Sequence, residues 1–393
     1  MENRNWREVK LGDIIDIISK KTPIENATLE NYISTENMIN DFGGVQNAEK
    51  LPTTNTVNAF VENDILFSNI RTYFKKVWHA KFDGTVSQDV LTFRAKENII
   101  SKFLYYILCN PEFTEYTVLT SKGAKMPRGD KDAIRNFEIQ LPQLPEQKAI
   151  ASVLSSLDDK IDLLHQQNQT LEALAETLFR QWFIERRPEL VEGEAKEDWE
   201  EVSLGSIIDL VVDNRGKTPP TVDYKTEYPL IEVNAINTSD CLVNYNVIRK
   251  YVVEETYNTW FRKHLKVNDV IVSTVGTIGV FSIFTSNIGC IAQNLIGLRS
   301  ETVSPYFIYL FLKTNKEDIL NLDIGGVQPS IKVPHLLDLK LKKPTIEVIN
   351  KFHNLVKEYF NKIGANQQQI QTLTKLRDTL LPKLMSGEVR VKI

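Results

Sequence analysis

Cysteine is scarce in this sequence, and long apolar runs are missing from it. The three cysteines, Cys109, Cys241 and Cys290, stand far apart and form no C-x-x-C pair. Such spacing indicates neither a disulfide framework nor a structural zinc site, and a reducing compartment is the default. The first residues are charged, and no apolar run reaches the roughly 18 residues of a membrane span. We therefore expect a cytoplasmic protein that neither enters a membrane nor is exported.

The sequence also lacks the motifs of common catalytic sites. It contains no G-x-x-x-x-G-K-[ST] phosphate loop, no G-x-G-x-x-G fingerprint and no H-E-x-x-H metal motif. The Asn/Asp-Pro-Pro-aromatic tetrapeptide of amino-methyltransferases is missing too, because Pro219-Pro220 is preceded by Thr218 and followed by Thr221. The five histidines are scattered. We expect no catalytic residue, metal site or cofactor in this chain.

What the sequence does contain is a long stretch of helical periodicity. Its apolar residues recur mostly in steps of three and four, at Ile150, Val153, Leu157, Ile161, Leu164, Leu171, Leu174 and Leu178. The mean step is close to the 3.5-residue period of a coiled-coil seam. Pro145 suits the first turn of a helix, where a missing N–H costs nothing. The pattern predicts a first long helix over residues 144–187, about 60 Å long at 1.5 Å per residue.

The same stretch occurs a second time. Pro344 repeats Pro142 at an offset of 344 − 142 = 202 residues, and the apolar seam continues at that offset. Self-similarity at a fixed period indicates an internal duplication. A second long helix is therefore predicted over residues 344–386, and Pro382 is expected to stop or kink it.

The segments that precede the two helices repeat as well. Residues 6–16 (WREVKLGDIID) recur as residues 199–209 (WEEVSLGSIID). The predicted order is a first globular domain (1–143), the first long helix (144–187), an acidic linker (188–198), a second globular domain (199–343), the second long helix (344–386) and a C-terminal strand that returns to the first domain (387–393).

This order predicts a mixed α/β (α+β) fold. If the second domain sits at the far end of the first helix, the second helix must run back beside it. We therefore expect two globular domains separated by a long antiparallel two-helix coiled coil, with a pseudo-two-fold internal repeat. Such an axis would bring Asn168 opposite Asn366, and a polar pair in a seam fixes register.

Two similar domains on a rigid spacer suit two separated sites on one long ligand, and double-stranded DNA offers such sites. Bases are read by polar and basic side chains, whereas Lys and Arg on phosphates set position and affinity. The loops differ between the two copies, which implies different half-sites. The candidate DNA-binding residues are Lys21, Thr22, Arg71, Thr72, Tyr73, Lys75, Lys76, Lys125 and Arg128 in the first copy, and Arg215, Lys217, Thr218, Thr274, Thr277, Gln328 and Ser330 in the second.

Five segments carry a resemblance to a known family. They are Leu141–Gln147 (LPQLPEQ), Leu178–Phe183 (LFRQWF), Gly216–Pro219 (GKTP), Asn268–Ile271 (NDVI) and Leu380–Gly387 (LLPKLMSG). With them, the chain resembles the specificity subunit of Type I restriction-modification systems over essentially its whole length. In that family, two target-recognition domains alternate with two long helices.

The resemblance implies a DNA-reading subunit with no catalysis of its own. It implies assembly with two methyltransferase (M) subunits, which bind S-adenosylmethionine and methylate adenine, and with restriction (R) subunits that use ATP and Mg²⁺. Each target-recognition domain would read one half of an asymmetric bipartite site, and the helices would set the spacer. Phe179, Trp182 and Phe183 are interpreted as a docking surface for the methyltransferase subunits. The alternative is that they pack against the second globular domain.

Two other functions stay open. A coiled-coil adaptor could bind proteins through two homologous globular domains, and a salt-dependent affinity for DNA would argue against it. A free-standing methyltransferase or nuclease would methylate or cut DNA without a partner.

Overall fold

The computed structural model describes residues 6–185, 199–214, 216, 218–237 and 241–392. The chain divides into two compact units: unit 1 combines residues 1–161 with 372–393, and unit 2 comprises residues 162–371. This division differs from the predicted segments, because each long helix contributes one part to unit 1 and the other part to unit 2. The predicted acidic linker, 188–198, lies outside the described residues.

Unit 1 contains ten strands and the beginning of the first long helix among its described residues. The strands are β1 (Arg7–Lys10), β2 (Ile15–Ile18), β3 (Lys21–Pro23), β4 (Tyr32–Ile33), β5 (Thr56–Phe60), β6 (Ile65–Ser68), β7 (Val77–His79), β8 (Gly84–Val86), β9 (Val90–Ala95) and β10 (Glu138–Leu141). The helices are α1 (Leu11–Ile14), α2 (Ser101–Cys109), α3 (Pro111–Leu119), α4 (Lys131–Arg135) and α5 (Leu144–Phe179).

Unit 2 contains nine strands among its described residues. They are β11 (Glu200–Ser203), β12 (Leu210–Val212), β13 (Tyr228–Ile231), β14 (Tyr251–Val252), β15 (Val270–Ser273), β16 (Phe281–Ile283), β17 (Cys290–Ile291), β18 (Leu295–Arg299) and β19 (Lys340–Lys343). The helices are α6 (Val233–Ile236), α7 (Glu254–Trp260), α8 (Pro305–Thr314), α9 (Lys316–Leu320), α10 (Val333–Leu337) and α11 (Ile346–Met385).

The two units share their strand order. Unit 1 has an antiparallel sheet β2-β9-β6-β7, and unit 2 has β12-β18-β15-β16. Each unit also has a parallel pair, β4 with β8 and β13 with β17. A two-stranded ribbon, β1 with β10 or β11 with β19, precedes each long helix. The repeat in the sequence therefore extends to the topology of these elements, whereas the other sheet differs, being β3-β5-β8-β4 in unit 1 and β14-β13-β17 in unit 2.

The central strands form where the sequence is most apolar. All four residues of β6 and all four of β15 are buried. Each strand begins beside an aspartate whose carboxylate is held by an arginine through two bonds of 2.7 Å, Asp64 by Arg94 and Asp269 by Arg299. Because these carboxylates are buried, the paired arginine is what makes their burial tolerable.

The long helices begin at matched positions, since 346 − 144 = 202. α5 is followed by a π-helical turn over Arg180–Ile184. At 36 and 40 residues, the two helices extend roughly 54 and 60 Å. Both are long α-helices, as the sequence predicts. Residues 186 and 187 of the first predicted span lie outside the described residues.

Parts of α5 and α11 contact each other within each unit, and in unit 2 they run antiparallel, because Asn168 meets Asn366 whereas Phe179 meets Phe352. In unit 1, Asp158 of α5 accepts a hydrogen bond from Arg377 of α11 at 3.0 Å. In unit 2, the Asn366 side-chain amide donates to Asn168 at 2.8 Å, which confirms the predicted contact. Asn366 also donates to Gln167 at 2.8 Å. Both asparagines are buried, and the Asn366 NH₂ group is satisfied by the oxygens of Asn168 and Gln167, whereas the Asn366 Oδ1 atom has no hydrogen-bond partner among the described residues.

Two predictions about the C-terminus differ from the structure. α11 does not stop at Pro382 but continues to Met385, close to the predicted end at residue 386, because a proline in the last turn removes only one late backbone hydrogen bond. The strand predicted over residues 387–393 is not formed by residues 387–392, and residue 393 lies outside the described part. The side chains hold this tail instead: the Arg390 guanidinium donates two bonds of 2.9 and 3.0 Å to Glu146.

Candidate nucleic-acid interface

In unit 1, two segments distant in the sequence are joined by backbone hydrogen bonds. The loop after β6, residues 69–76, meets residues 122–129, which precede α4. The N–H of Arg71 donates to the carbonyl oxygen of Pro127 at 2.8 Å. These two segments form one surface and are called here the joined loops of unit 1.

Unit 2 contains the same arrangement. The loop after β15, residues 274–279, meets residues 323–331, and the two are called the joined loops of unit 2. The N–H of Gly276 donates to the carbonyl oxygen of Pro329 at 2.9 Å. The participants match those of unit 1 at offsets of 276 − 71 = 205 and 329 − 127 = 202.

A second backbone bond is shared. In unit 1 the N–H of Gly129 donates to the carbonyl oxygen of Asn69 at 3.0 Å, and in unit 2 Ile331 donates to Thr274 at 2.8 Å. The fold therefore sets the backbone of the joined loops in both units. The side chains on that backbone are different.

The loop of unit 1 presents an aromatic ring between two basic residues. Arg71 and Lys75 have left-handed backbones, with φ of 51° and 53°, and they bracket a single 3₁₀ turn over Thr72–Phe74. Tyr73 lies in this turn, is 47% exposed and packs against the Phe74 ring at 4.7 Å between centroids. Aromatic rings beside cations are typical of surfaces that contact nucleic acid.

Three other cations of these loops have partners inside the protein, and Lys125 is exposed. Lys75 lies 3.7 Å from Asp41, and Arg128 donates to Asp89 at 2.9 Å. The Lys76 ammonium donates to the carbonyl oxygen of Thr35 at 2.6 Å, and burial lowers its pKa although Glu36 opposes the shift. Among the described residues, the guanidinium of Arg71 has neither a hydrogen bond nor an ion pair.

The joined loops of unit 2 carry no cation among their described side chains. Thr277 and Gln328 are exposed, and Ser330 is half-buried. The Asp323 carboxylate accepts the backbone N–H groups of Gly325 and Ser330, both at 2.8 Å, which lowers its pKa. Amide and hydroxyl groups offer both donors and acceptors to base edges.

The structure corrects two predicted DNA-reading residues. Thr72 is 5% exposed and Thr274 is fully buried. Thr274 directly follows the buried strand β15, and its hydroxyl donates to the carbonyl oxygen of Asn294 at 3.4 Å. Neither hydroxyl is accessible to a base edge.

The remaining predicted residues are distributed more widely. Lys125 is exposed on the joined loops of unit 1. Lys21 and Thr22 lie on β3, at the edge of the other four-stranded sheet, where Thr22 accepts a hydrogen bond from Asn26 at 2.6 Å. Thr218 is exposed in unit 2. The candidates Arg215 and Lys217 lie outside the described residues.

Unit 2 also has an open basic cleft that the selection of candidates left out. It has a volume of about 560 Å³ and is lined by Val211, Asp213, Gly216, Arg262 and Lys263. The Lys263 ammonium donates to the carbonyl oxygen of Val211 at 3.0 Å. The basic pair Arg262-Lys263 in the sequence could have indicated this cleft. It has no counterpart in the first copy of the repeat.

The interpretation of three aromatic residues as a docking surface is contradicted. Phe179, Trp182 and Phe183 are 2%, 9% and 8% exposed in the core of unit 2. The Phe183 ring lies 5.0 Å from both Phe307 and Phe352. The rings pack against the second globular domain, as the alternative interpretation had it.

Neither a metal cluster nor a membrane-spanning helix is found in the described part of the chain. No three His, Cys, Asp or Glu side chains there are grouped to hold a metal ion. No helix of these residues combines the length and apolarity that crossing a bilayer requires.

Comparison with known proteins identifies the family. The model of the family described as Type I restriction modification DNA specificity domain matches residues 3–173 and 196–375. The MjaIX specificity subunit of Methanocaldococcus jannaschii is 27% identical over 99% of this chain and 94% of its own. The HindI specificity subunit of Haemophilus influenzae is 23% identical over 98% of this chain and 100% of its own.

A solved structure agrees at the level of the fold. The crystal structure of the Type I restriction-modification S subunit from M. genitalium has a TM-score of 0.56 and 19% identity, covering 98% of this chain and 97% of that one. The two segments matched by the family model each contain one set of joined loops and together span most of the sequence. The chain belongs to the family of Type I restriction-modification specificity subunits.

Proposed function

We propose that this chain binds double-stranded DNA as the specificity subunit of a Type I restriction-modification complex. The joined loops of unit 1 read one half of a bipartite site, and those of unit 2 read the other half. The observation that carries the proposal is that both units have the same backbone bonds between their loops and different side chains on them. A common scaffold with different side chains suits two different half-sites.

The joined loops of the two units offer different chemical groups to the DNA. In unit 1, Arg71, Tyr73, Lys75, Lys76 and Arg128 supply charge and a stacking surface, with Lys125 beside them. In unit 2, the exposed Thr277 and Gln328, with Ser330, supply neutral donors and acceptors. Phosphate contacts fix position while base contacts fix sequence.

The residues outside the joined loops serve the backbone of the DNA. Lys21 and Thr22 do so in unit 1. In unit 2, Thr218 and the neighbouring Arg215 and Lys217 belong to the segment that contains Gly216 of the basic cleft. Lysine and arginine on phosphates add affinity without reading sequence.

The long helices act as the spacer. The α5–α11 contact in each unit, antiparallel in unit 2, supports a two-helix coiled coil that separates the two target-recognition domains, with a pseudo-two-fold relation between the repeats. The polar contact of Asn168 with Asn366 fixes the register of that pair. The spacer in the DNA site then follows from the length of the helices.

The chain itself performs no catalysis in this proposal. Two methyltransferase subunits, which bind S-adenosylmethionine, methylate adenine, and restriction subunits use ATP and Mg²⁺. The docking surface is duplicated on the helices at Leu174 and Leu376, which match at an offset of 376 − 174 = 202 and are 47% and 44% exposed. Leu174 belongs to the predicted apolar seam but is exposed in the structure, as is Leu376 at the matched position.

Docking at these leucines is tested by stoichiometry. L174D and L376D should each bind one methyltransferase copy instead of two, because an aspartate cannot enter an apolar contact without losing its hydration. L163D is the matched control: Leu163 is 55% exposed on the same helix, and its counterpart at position 365 is an alanine. Two copies bound to both test variants would refute the docking surface.

DNA reading is tested with the full chain and a randomised duplex library. We expect enrichment of a bipartite motif, with an affinity that falls steeply with salt, by roughly 0.9 in log–log slope for each phosphate neutralised. Expression with the methyltransferase subunits should place methylated adenines in the same motif. Absence of enrichment at low salt would refute the proposal and favour the protein-binding adaptor.

A further inference from the structure

Arg71 has a backbone conformation that glycine adopts more easily than arginine does. Its φ of 51° is left-handed, and a side chain there is crowded by the following carbonyl oxygen. The matched position of unit 2, at 276 − 71 = 205, is Gly276 with φ of 82°. Asp64 and Asp269 match at the same offset, since 269 − 64 = 205. The fold requires a left-handed residue at this position, and unit 1 places an arginine there.

The half-buried side chain of Arg71 is not held by a polar contact within the described part of the chain. Among the described residues, the Arg71 guanidinium has no hydrogen-bond acceptor or carboxylate, whereas Lys75 and Arg128 nearby are paired with Asp41 and Asp89. The backbone of Arg71 is nevertheless fixed on both sides, because its N–H donates to Pro127 and its carbonyl oxygen accepts from Phe74 at 2.9 Å. Within the described residues, an unpaired guanidinium thus stands on a backbone that two hydrogen bonds hold in place.

We propose that Arg71 is a specificity-determining residue of unit 1, whose guanidinium donates two hydrogen bonds to the O6 and N7 atoms of a guanine in one half-site. This assignment rests on the proposed DNA-reading function. The planar fork of arginine matches two adjacent acceptors, and the pair on guanine is the most common partner in the major groove.

A phosphate is the competing acceptor, and the geometry argues against it. A phosphate contact needs positive charge at an approximate distance, which the exposed Lys125 on the same loops supplies through a flexible side chain. A bidentate contact with a base edge needs a support whose position is fixed. The two backbone bonds of Arg71 and its left-handed conformation provide such a support.

The test compares three variants of the full chain with the wild type. R71G removes the side chain and relieves the backbone, and R71K keeps the charge but loses the planar fork. N63G is the control, because Asn63 is also left-handed, with φ of 70°, but lies at the other end of β6 from the joined loops. Each protein is used to select duplexes from a fully randomised library, and its thermal midpoint is measured.

We expect R71G to lose preference for one guanine by roughly ten- to hundredfold, while the other half-site is unchanged and the thermal midpoint is equal or higher. R71K should lose the same preference but keep most of its affinity averaged over all sequences. N63G should keep the full motif. Retention of the guanine preference in R71G or R71K would overturn the assignment, as would a lower thermal midpoint of R71G, which would make Arg71 a structural residue.

These outcomes are separate from failure of the DNA-reading function. If wild type selects no motif, the proposed function fails and Arg71 has nothing to read. If wild type and N63G select a bipartite motif and R71G selects the same one, the function stands and the assignment of Arg71 fails.

Discussion

Unit 1 and unit 2 bury the ends of the long helices with different side chains at matched positions. In unit 2 these are the aromatic residues Phe179, Trp182 and Phe183, and at an offset of 202 they correspond to Leu381, Leu384 and Met385 in unit 1. All six are buried. The comparison teaches that the repeated fold fixes which positions enter a core, while the volume and shape of each core decide the residue type.

Truncation of the buried side chains at these positions should cause the largest losses of stability, and the loss should differ between the two units. F183A should destabilise unit 2 by about 3–5 kcal/mol, because the Phe183 ring packs against five other aromatic rings that cannot fill the space it leaves. M385A in unit 1 should cost less, about 2–3 kcal/mol, since a methionine leaves a smaller cavity. Chemical unfolding of both variants provides the measurement. Unchanged unfolding of F183A would contradict its place in the core.

The same comparison shows what the sequence could reveal about the fold. The two long helices were predictable because their periodicity continues over many turns and recurs at a constant offset. The burial of Phe179, Trp182 and Phe183 was also predictable, because that offset places them on three apolar residues. The conformation of the C-terminal tail was not predictable. Its alternating pattern is local and suggested a strand, whereas the contact that holds the tail, between Glu146 and Arg390, exists only in the folded chain.

The sequence predicted where the candidate site lies better than it predicted which residues belong to it. The loops after β6 and β15 were selected because the two copies diverge there, and both belong to the joined loops. Thr72 and Thr274 were chosen by residue type, which says nothing about burial. The significance of Arg71 depends on its backbone angle and its lack of a partner among the described residues, and neither can be read from residue type.

The ion pair at the start of the central strand differs between the units in how far its arginine is exposed. Arg299 is 12% exposed and also donates to His264, whereas Arg94 is 41% exposed. D269N should therefore cost roughly 3 kcal/mol or more, because Arg299 keeps a charge that water reaches poorly. D64N should cost about 1–2 kcal/mol, since Arg94 can be hydrated.

Urea unfolding of the two variants, followed by probes in each unit, measures this difference. Asparagine is close to isosteric with aspartate, so each variant removes the charge and replaces one of the two acceptor oxygens by an NH₂ donor. Equal losses of stability in D64N and D269N would show that exposure of the arginine does not control the energetics of this pair.

The contacts between α5 and α11 differ in chemistry, and this gives a smaller effect. Unit 1 uses the ion pair of Asp158 with Arg377, and unit 2 uses the amides of Asn168 and Asn366. N366A should cost about 1–2 kcal/mol, because it leaves buried amide groups with fewer partners. The double variant N168L/N366L should recover that loss but weaken the register.

Salt distinguishes the two contacts. Added salt should reduce the cost of D158N, since Asp158 and Arg377 are 22% and 16% exposed and still feel the screening ions. The cost of N366A should not change with salt, because neither amide is charged. A salt-dependent cost of N366A would contradict the described contact.

The smallest expected effect is a change in stability at acid pH that depends on Glu146. Glu146 of unit 1 accepts hydrogen bonds from Trp6 and Arg390, and its counterpart in unit 2, at 348 − 146 = 202, is the buried Val348. Burial alone would raise the pKa of Glu146, but the bonds from Arg390 and Trp6 outweigh it and hold the pKa below the ordinary 4.5. A carboxyl group whose pKa is lower in the folded chain stabilises the fold above its unfolded pKa, and this contribution is lost as the pH falls through the folded value.

E146Q isolates this contribution from the many other carboxylates that titrate in acid. Near neutral pH the wild type should be more stable than E146Q by about 1 kcal/mol or less, because Arg390 is 45% exposed and its attraction is screened by water. Below pH 4.5 the difference in unfolding free energy should shrink, since the wild-type carboxylate then becomes protonated and resembles the neutral amide. V348Q in unit 2 is the matched comparison, and its cost should not change with pH because neither valine nor glutamine titrates. A difference between wild type and E146Q that stays constant down to acid pH would mean that the Arg390 tail is held by packing and not by the charge of Glu146.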